Sequence, residues 1–465
     1  MMNRKKVISL VLLTSIVSSN IGYTRTVLAK DSNFKHPNIS TIMNSPDEGD
    51  SVDFKEDKEK AKEWGKEKEK EWELTIEEKE NIGRYLNNEN SIKENYNGII
   101  YSLDGRFPEE KAILKDIEKS FDKAKLSDTV VTYKYVDPKS IGFNSELFND
   151  NDANYDEMDK FQEQFLYDEN KKNYIKPDSF FETNISDPGI NPTENENRVI
   201  LKVTVPGSKG RENPTKAGVF LDGEEYKMLI SNDYVIKIDD MSINTLKGRD
   251  YLSVNGTLER SLDFKNDLSG VGSTWGRESY AEWLENLSAK EKDAINGYFS
   301  RWDYKAINEY LRNGTLPSDD QDLHDEKIMK DRIETISEAL GREPIPENVT
   351  VYRWCGAPEF GYKADKMPNI EQFEKDFLNK DKLEKGFLST SLSSEGTNGF
   401  APRNIILRLQ VPKGSKGAYI SGITGNPREK EILLDKGSKY HINRISKSRI
   451  GTRDKYIVDA SLLPQ

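Results

Sequence analysis

Three short stretches in the second half of the chain combine residue types that can act on a charged sugar. They are Arg353 in Val351-Tyr352-Arg353-Trp354, the triplet Ser389-Thr390-Ser391, and Glu429-Lys430-Glu431. The β-branched and aromatic residues around Arg353, and the aliphatic run after Glu431, predict strands that carry these groups. Residues i and i+2 of a strand face the same side, so Glu429 and Glu431 are expected to project together. A pair of carboxylates on one face suits a reaction through an oxocarbenium ion. One stabilises the cationic sugar, and the other handles the nucleophile. The forked guanidinium of Arg353 can grip a diphosphate. The hydroxyls of Ser389-Thr390-Ser391 can hold a carboxylate or support a sheet. An exposed Glu-x-Glu alone is common; the order Arg, Ser-Thr-Ser, Glu-x-Glu carries the specificity.

Composition narrows the setting for this chemistry. The chain has 465 residues, with 81 acidic and 69 basic side chains and a net charge of −12. Charged residues make up 32% and hydrophobic ones 35%, and the mean hydropathy is −0.79. Such a length accommodates about two or three domains. An acidic chain lacks the global basic field of a nucleic-acid binder. The single cysteine, Cys355, excludes an intramolecular disulfide and reads as a small packed residue. His36, His324 and His441 are scattered, which argues against a His/Cys metal site. Asn3-Arg4-Lys5-Lys6 followed by the apolar run Val7 to Val17 reads as a secretion signal over residues 1–29, ending at Ala29. Residues 30–50 read as a flexible leader. No other run approaches the roughly 20 apolar residues of a membrane span, so a secreted chain without stable membrane insertion is expected.

The elements that must position the chemistry occur twice. Ser51-Val52-Asp53-Phe54-Lys55 returns as Ser261-Leu262-Asp263-Phe264-Lys265, and Trp64-Gly65 with Trp72 returns as Trp275-Gly276 with Trp283. Thr132-Tyr133-Lys134-Tyr135 resembles Val351-Tyr352-Arg353-Trp354, and Val199 to Pro206 echoes Ile405 to Pro412. Glu225-Tyr226-Lys227-Met228-Leu229-Ile230 matches Glu429-Lys430-Glu431-Ile432-Leu433-Leu434. The same order at similar offsets indicates a duplicated domain, residues 51–260 and 261–465. Each copy opens with charged, helix-prone sequence and continues into β-branched runs that end in Pro or Gly turns. The expected fold class is therefore α+β, two tandem copies, each with N-terminal helices and a mainly antiparallel β-sandwich core. Aligning the copies sets Lys134 opposite Arg353, Ser140 opposite Glu359, and Lys227 opposite Glu431. A lysine in place of Glu431 puts a cation where an oxocarbenium ion would form, so the first copy reads as a scaffold or docking domain. Gly270-Val271-Gly272 is incomplete as a dinucleotide fingerprint and reads as a linker turn.

These residues resemble the Arg/Ser-Thr-Ser/Glu-x-Glu class of mono-ADP-ribosyltransferases, and in particular the enzymatic components of actin-modifying binary toxins of the iota-toxin and vegetative insecticidal protein kind. Val351 to Gly356, Glu359-Phe360-Gly361-Tyr362 and Glu429 to Asp435 match the insecticidal branch, and the likeness extends over nearly all of the chain after the signal. It implies two transferase-like domains of which only the second is catalytic, with NAD as co-substrate, no metal, and an arginine of host actin as acceptor. The first domain is implied to dock on a separate pore-forming component that delivers the secreted enzyme to the host-cell cytosol. Carried over by position, Arg353 holds the NAD phosphates, Ser389 orients Glu431, Glu431 stabilises the oxocarbenium ion, and Glu429 engages the acceptor arginine. Phe400 and Arg403 match the nicotinamide-side aromatic and a second phosphate-binding arginine; Glu359 matches a carboxylate that shapes the pocket. Tyr304 and Asn308 match cofactor-contacting positions, with helix packing as their alternative. Two positions depart from the pattern. Asn426 stands where the family usually has an aromatic residue, three before the first glutamate. Tyr298 lies six residues before Tyr304 where the family has a tyrosine five before, and is ranked low. The same chemistry on another host protein or on water, and a non-catalytic secreted binding protein, are the rival readings.

Overall fold

The computed structural model describes residues 51–102, 105–124, 126–143, 145–166, 174–189, 197–208, 215–265, 267, 270–300, 303–318, 323–364, 366–394 and 403–464. The signal and leader expected over 1–50, and Phe400, lie outside the described residues.

Each half of the chain forms helices before its sheet. In the first copy, helix Lys58–Glu71 starts where the Asp57 carboxylate accepts from the Lys60 N–H. Helix Ile76–Leu86 starts at a reciprocal capping box between Thr75 and Glu78. In the second copy, helices Val271–Ser279, Ala281–Asn286, Ala289–Ser300, Asp303–Asn313 and Glu326–Arg342 precede the first long strand. Gly270 is left-handed (φ 80°) and caps Val271–Ser279, so Gly270-Val271-Gly272 is a helix start and not the linker turn expected from the sequence. The repeated tryptophan is a helix anchor. Trp72 and Trp283 are both buried, and their indole N–H groups donate to the Ser120 and Ala339 carbonyls, each at 2.8 Å. Among the described residues no helix is long and apolar enough to cross a membrane.

The sheets share one topology. In the first copy, strands neighbour one another in the order Tyr174–Ile175, Tyr234–Leu246, Arg249–Arg260, Val199–Val205, Thr129–Val136, Phe181–Asn184, Glu225–Ile230, Ala217–Asp222. The second copy repeats it strand for strand: Asp381–Leu383, Lys439–Ile450, Arg453–Leu462, Ile405–Val411, Val349–Cys355, Leu388–Ser391, Glu431–Leu434, Gly417–Tyr419. Pairing is antiparallel except where Val199–Val205 meets Arg249–Arg260, where Ile405–Val411 meets Arg453–Leu462, and where the entering segments Ser51–Val52 and Leu262 join. In each copy one single-residue pairing, Tyr133 with Asn184 or Tyr352 with Ser391, joins a five-stranded part to a three-stranded part. The fold is thus two tandem α+β domains, as the repeat implied.

The repeated Ser-x-Asp-Phe-Lys segment has a structural purpose. Tyr133 donates to Asp53 at 2.5 Å, and Tyr352 donates to Asp263, so each aspartate ties the entering chain to the central strand. The chain passes between copies at Ser261. Its N–H bonds the Asp233 carbonyl of the first sheet, and Leu262 already exchanges hydrogen bonds with Asn348 and Thr350 of the second.

The copies share a buried interface. Tyr101 of the first packs with Tyr352, Trp354, Ile406, Ile450 and Ile457 of the second. Beside this apolar patch, Asp178 of the first copy accepts from Arg408 at 3.1 Å and from Arg444 at 2.6 Å, and both arginines also bond Asp459. Burial pushes the Asp178 carboxyl upward, but Arg444 and Arg408 outweigh it and hold the group well below the usual carboxylate range. Lys176 and Asp263 form a further buried cross-copy pair at 3.1 Å.

Candidate active site

Strand alternation decides what each residue around Arg353 faces. Tyr352 and Trp354 point into the interface with the first copy, which leaves Arg353 on the opposite side of Val349–Cys355. There Arg353 Nη1 donates to the Ser389 carbonyl at 2.6 Å and the guanidinium borders a cavity of about 740 Å³. Burial works against its charge, but Cys355, Glu359, Tyr298 and Glu384 outweigh that and favour the cation. The cavity is also lined by Tyr304, Asn308, Glu359 and Arg403. Lys305, Arg312, Lys382 and Lys385 add cations to the same wall, against the carboxylates of Glu309, Glu359 and Glu384. This local basic field, inside an acidic chain, suits a polyanionic ligand. Among the described residues no cluster of His, Cys, Asp and Glu could hold a metal ion.

Arg403 is held at the cavity wall by Glu359. Its Nη1 donates to Glu359 Oε1 at 2.8 Å and to the Trp354 carbonyl at 3.0 Å, while Glu359 Oε2 accepts from the Gly356 N–H at 3.0 Å. Tyr304 lies in the cavity wall with its ring 6.2 Å from Tyr298. Asn308 serves the fold as well: its Oδ1 accepts from the Phe387 N–H at 2.9 Å and its Nδ2 donates to Tyr298 Oη at 3.0 Å. Helix Asp303–Asn313 is thereby latched to the segment leading into Ser389.

The three serine and threonine hydroxyls divide their labour. Ser389 Oγ donates to Glu431 Oε1 at 2.5 Å. Thr390 Oγ1 bonds the Ile432 carbonyl at 2.8 Å, and Ser391 Oγ bonds the Glu429 carbonyl at 2.6 Å. Glu431 is 4% exposed, and its Oε2 has no hydrogen-bond partner among the described residues. Burial pushes this carboxyl up to about 7; Ser389 and Arg353 favour the anion and Glu429 disfavours it. A carboxylate so placed is desolvated, aimed by one hydrogen bond, and has one oxygen unmatched among the described residues. Glu431 does not line the cavity itself; Ser389 links the two, its hydroxyl on Glu431 and its carbonyl on Arg353 at the cavity wall.

The placement of Glu429 differs from the strand alternation expected. The strand begins only at Glu431, and Glu429 closes a turn in which its N–H bonds the Asn426 carbonyl at 3.3 Å. Lys430 between them is left-handed (φ 48°), so the i, i+2 rule of a regular strand does not govern the pair. Glu429 is half-buried, and burial pushes its carboxyl upward. Asn426 belongs to the same turn.

Two residues near the site carried little or no signal in the sequence. Tyr298 is buried against Phe387 with ring centroids 5.6 Å apart; burial pushes its phenol up, Glu431 adds to that push, and Asn308 and Arg353 oppose it. Tyr298 and Tyr304 lie on separate helices, Ala289–Ser300 and Asp303–Asn313. Glu384 accepts from Arg312 at 2.9 Å and from the Gly386 N–H at 2.8 Å; burial raises its carboxyl, but Arg312 and Gly386 hold it low. Its lone Glu between lysines has no distinguishing spacing.

A family model of ADP-ribosyltransferase exoenzymes matches residues 61–260 and again residues 272–465. The chain belongs to that family. The chain is 32% identical over 205 residues to the mono-ADP-ribosyltransferase C3 of Clostridium botulinum D phage, covering 41% of this chain and 74% of the relative. Among solved structures it is similar to BECa, an ADP-ribosylating toxin of a binary enterotoxin of C. perfringens solved with NADH. The TM-score is 0.77 at 29% identity, over 90% of this chain and 100% of BECa. The C2-I enzymatic component of the C2 toxin of Clostridium botulinum gives a TM-score of 0.69 at 28% identity, over 89% of this chain and 100% of C2-I.

The first copy keeps the strand pairings of this site but changes the charge at two of its three positions. Strand register superposes Lys134 on Arg353, Glu182 on Ser389, and Lys227 on Glu431. Lys134 Nζ bonds the Glu182 carbonyl at 2.9 Å, as Arg353 bonds that of Ser389. Lys227 meets Glu182 at 2.8 Å and Asp222 at 2.6 Å, and Lys93 meets Glu182 at 2.7 Å. The place of the buried carboxylate is taken by an ionic network that the protein itself completes. Burial pushes the Lys134 ammonium down to about 8.

Proposed function

We propose that the second copy transfers ADP-ribose from NAD to an arginine of host actin, and that the first copy docks on a separate pore-forming component that delivers the secreted enzyme. The observation that carries the transfer chemistry is Glu431: a desolvated carboxylate with one oxygen unmatched among the described residues, fixed by Ser389, whose carbonyl accepts from Arg353 at the wall of the cationic cavity. NAD supplies an activated glycosidic bond whose cleavage leaves positive charge on a ribose. Glu431 stabilises that charge, and Ser389 holds it in line. Arg353 grips the diphosphate. Arg403 and Glu359 shape the same wall; Phe400, outside the described residues, is assigned to the nicotinamide side on the resemblance alone. Tyr304 and Asn308 complete the donor side. Glu429, in the turn with Asn426, meets the incoming guanidinium and helps take its proton. The polar Asn426 favours a second reading, in which the acceptor is another host protein or water.

Arg353→Lys should weaken NAD binding by about 1.5–3 kcal/mol, the scale of a charge-assisted bond, because an ammonium cannot reproduce a planar two-point grip. The melting temperature should change little. A titration showing unchanged NAD affinity would remove Arg353 from the donor site. The reading as a whole is tested by incubating the protein with labelled NAD and a cell extract. One labelled band at the mass of actin is expected. Several bands or free ADP-ribose would move the acceptor elsewhere, and no reaction would leave a binding protein.

A further inference from the structure

The residue between the two glutamates is tied to a different part of the domain. Lys430 is buried and left-handed, a conformation that non-glycine residues adopt at a cost. Its ammonium meets the Asp267 carboxylate at 3.2 Å and also bonds the Asp267 carbonyl. The same carboxylate accepts the N–H groups of Val271 and Gly272 at 3.1 and 2.7 Å, and so caps the first helix of the second copy. On the other side, the Glu429 carbonyl accepts from Ser391 Oγ at 2.6 Å and the Lys430 carbonyl accepts from the Leu392 N–H at 2.9 Å. The turn that carries Glu429 is therefore clamped between a helix start and the Ser-Thr-Ser strand.

The first copy is an internal control. Asp57 stands at the position of Asp267 and caps its helix through Lys60, but no lysine reaches it from the equivalent strand. Glu225-Tyr226-Lys227 lies in the regular strand Glu225–Ile230, and the Tyr226 hydroxyl meets Glu69 at 3.3 Å. The duplicated fold is complete in the first copy without the clamp. The clamp and the left-handed residue occur in the copy whose glutamate, serine and arginine are intact.

We propose that Lys430, held on Asp267, is a positioning residue that sets Glu429 toward the acceptor while Glu431 turns into the donor cavity. This rests on the transferase reading above. The clamp acts on the transfer step, since Glu431 is fixed separately by Ser389 and by its backbone N–H bond to Ser421 Oγ at 2.8 Å. Lys430→Met removes the charge and keeps the length, Lys430→Arg keeps the charge, and Asp267→Asn keeps a cap acceptor while neutralising the partner. Each is assayed for protein labelling with labelled NAD in cell extract, for nicotinamide release without acceptor, for the KM of NAD, and for melting temperature. Lys430→Met and Asp267→Asn should each lose about 10²-fold in labelling, the scale of a small misplacement. Nicotinamide release and the KM for NAD should stay close to wild type, and Lys430→Arg should recover most of the labelling. Should Lys430→Met fail to fold, Asp267→Asn decides by the same comparison. Wild-type labelling in the folded variants, or an equal loss of labelling and release, would overturn the proposal. A wild-type protein that labels nothing would overturn the transferase reading itself, which is a different result.

Discussion

Glu431→Gln is expected to abolish nicotinamide release and protein labelling together, and to make the protein more stable at pH 8. The loss of function follows from its proposed station. With the carboxylate facing the sugar, as proposed, every acceptor, water included, needs its charge, and a loss of roughly 10²–10⁴-fold or more is the scale for such a group. Gln keeps the shape and the bond from Ser389. The gain in stability follows from desolvation. Burial raises the folded-state value of Glu431 to about 7, above the ordinary 4.5. The native state therefore binds this proton more tightly than the unfolded chain does. Stability is lost as pH rises from about 4.5 to about 7 and stays lost above it. Gln carries no such penalty, so its advantage should reach about 3 kcal/mol at pH 8 and fall to about 1 kcal/mol or less at pH 5. For the same reason, nicotinamide release by the wild type should rise with pH through about 7. Glu429→Gln should differ: labelling is lost while appreciable release remains, because water does not need a guanidinium oriented. Equal loss of both activities in Glu429→Gln would sink the separate stations.

Asp178→Ala should destabilise the whole chain by about 3 kcal/mol, because among the described residues it leaves Asp459 as the one carboxylate paired with Arg408 and Arg444 in a buried interface. The lower end of the range for a broken buried pair applies, since the Asp178 side chain keeps 35% exposure. Calorimetry should show the single transition of the wild type broaden or split as the copies uncouple. An unchanged melting temperature would mean that the ionic cluster is satisfied without Asp178. The same interface bears on residues 261–465 expressed alone: Tyr352, Trp354 and Ile406 would be exposed on the reverse of the strand that carries Arg353. The shared core predicts that this fragment is less stable than the full chain.

The parts of the molecule that were legible before the structure are those written in local pattern. The strands Val199–Val205 and Ile405–Val411 are mainly aliphatic runs, and in the Trp-Gly…Trp repeat the second tryptophan of each copy is buried with its indole N–H on a backbone carbonyl, Ser120 or Ala339. The duplication was visible for the same reason. What stayed hidden depended on contacts distant in sequence. Nothing around Asp178 marks it as a partner of Arg408 and Arg444, which lie 230 and 266 residues away. Periodicity placed Glu429 and Glu431 on one strand face, but the left-handed Lys430 breaks the strand between them, and its side chain pairs with an aspartate far upstream. Asn308 shows the opposite lesson. Its position was anticipated, yet its amide is largely committed to Phe387 and Tyr298.

Whether the chemistry belongs to the second copy alone is settled most directly by comparing Lys227→Met with Glu431→Gln in one assay, nicotinamide release from NAD by the full chain. The two residues occupy the same register position in the two sheets. Lys227→Met leaves Glu182 still paired with Lys93, so the first copy should stay folded. Lys227→Met should release nicotinamide at the wild-type rate and Glu431→Gln should release none. A folded Lys227→Met protein without activity, or a Glu431→Gln protein that retains it, would contradict the assignment.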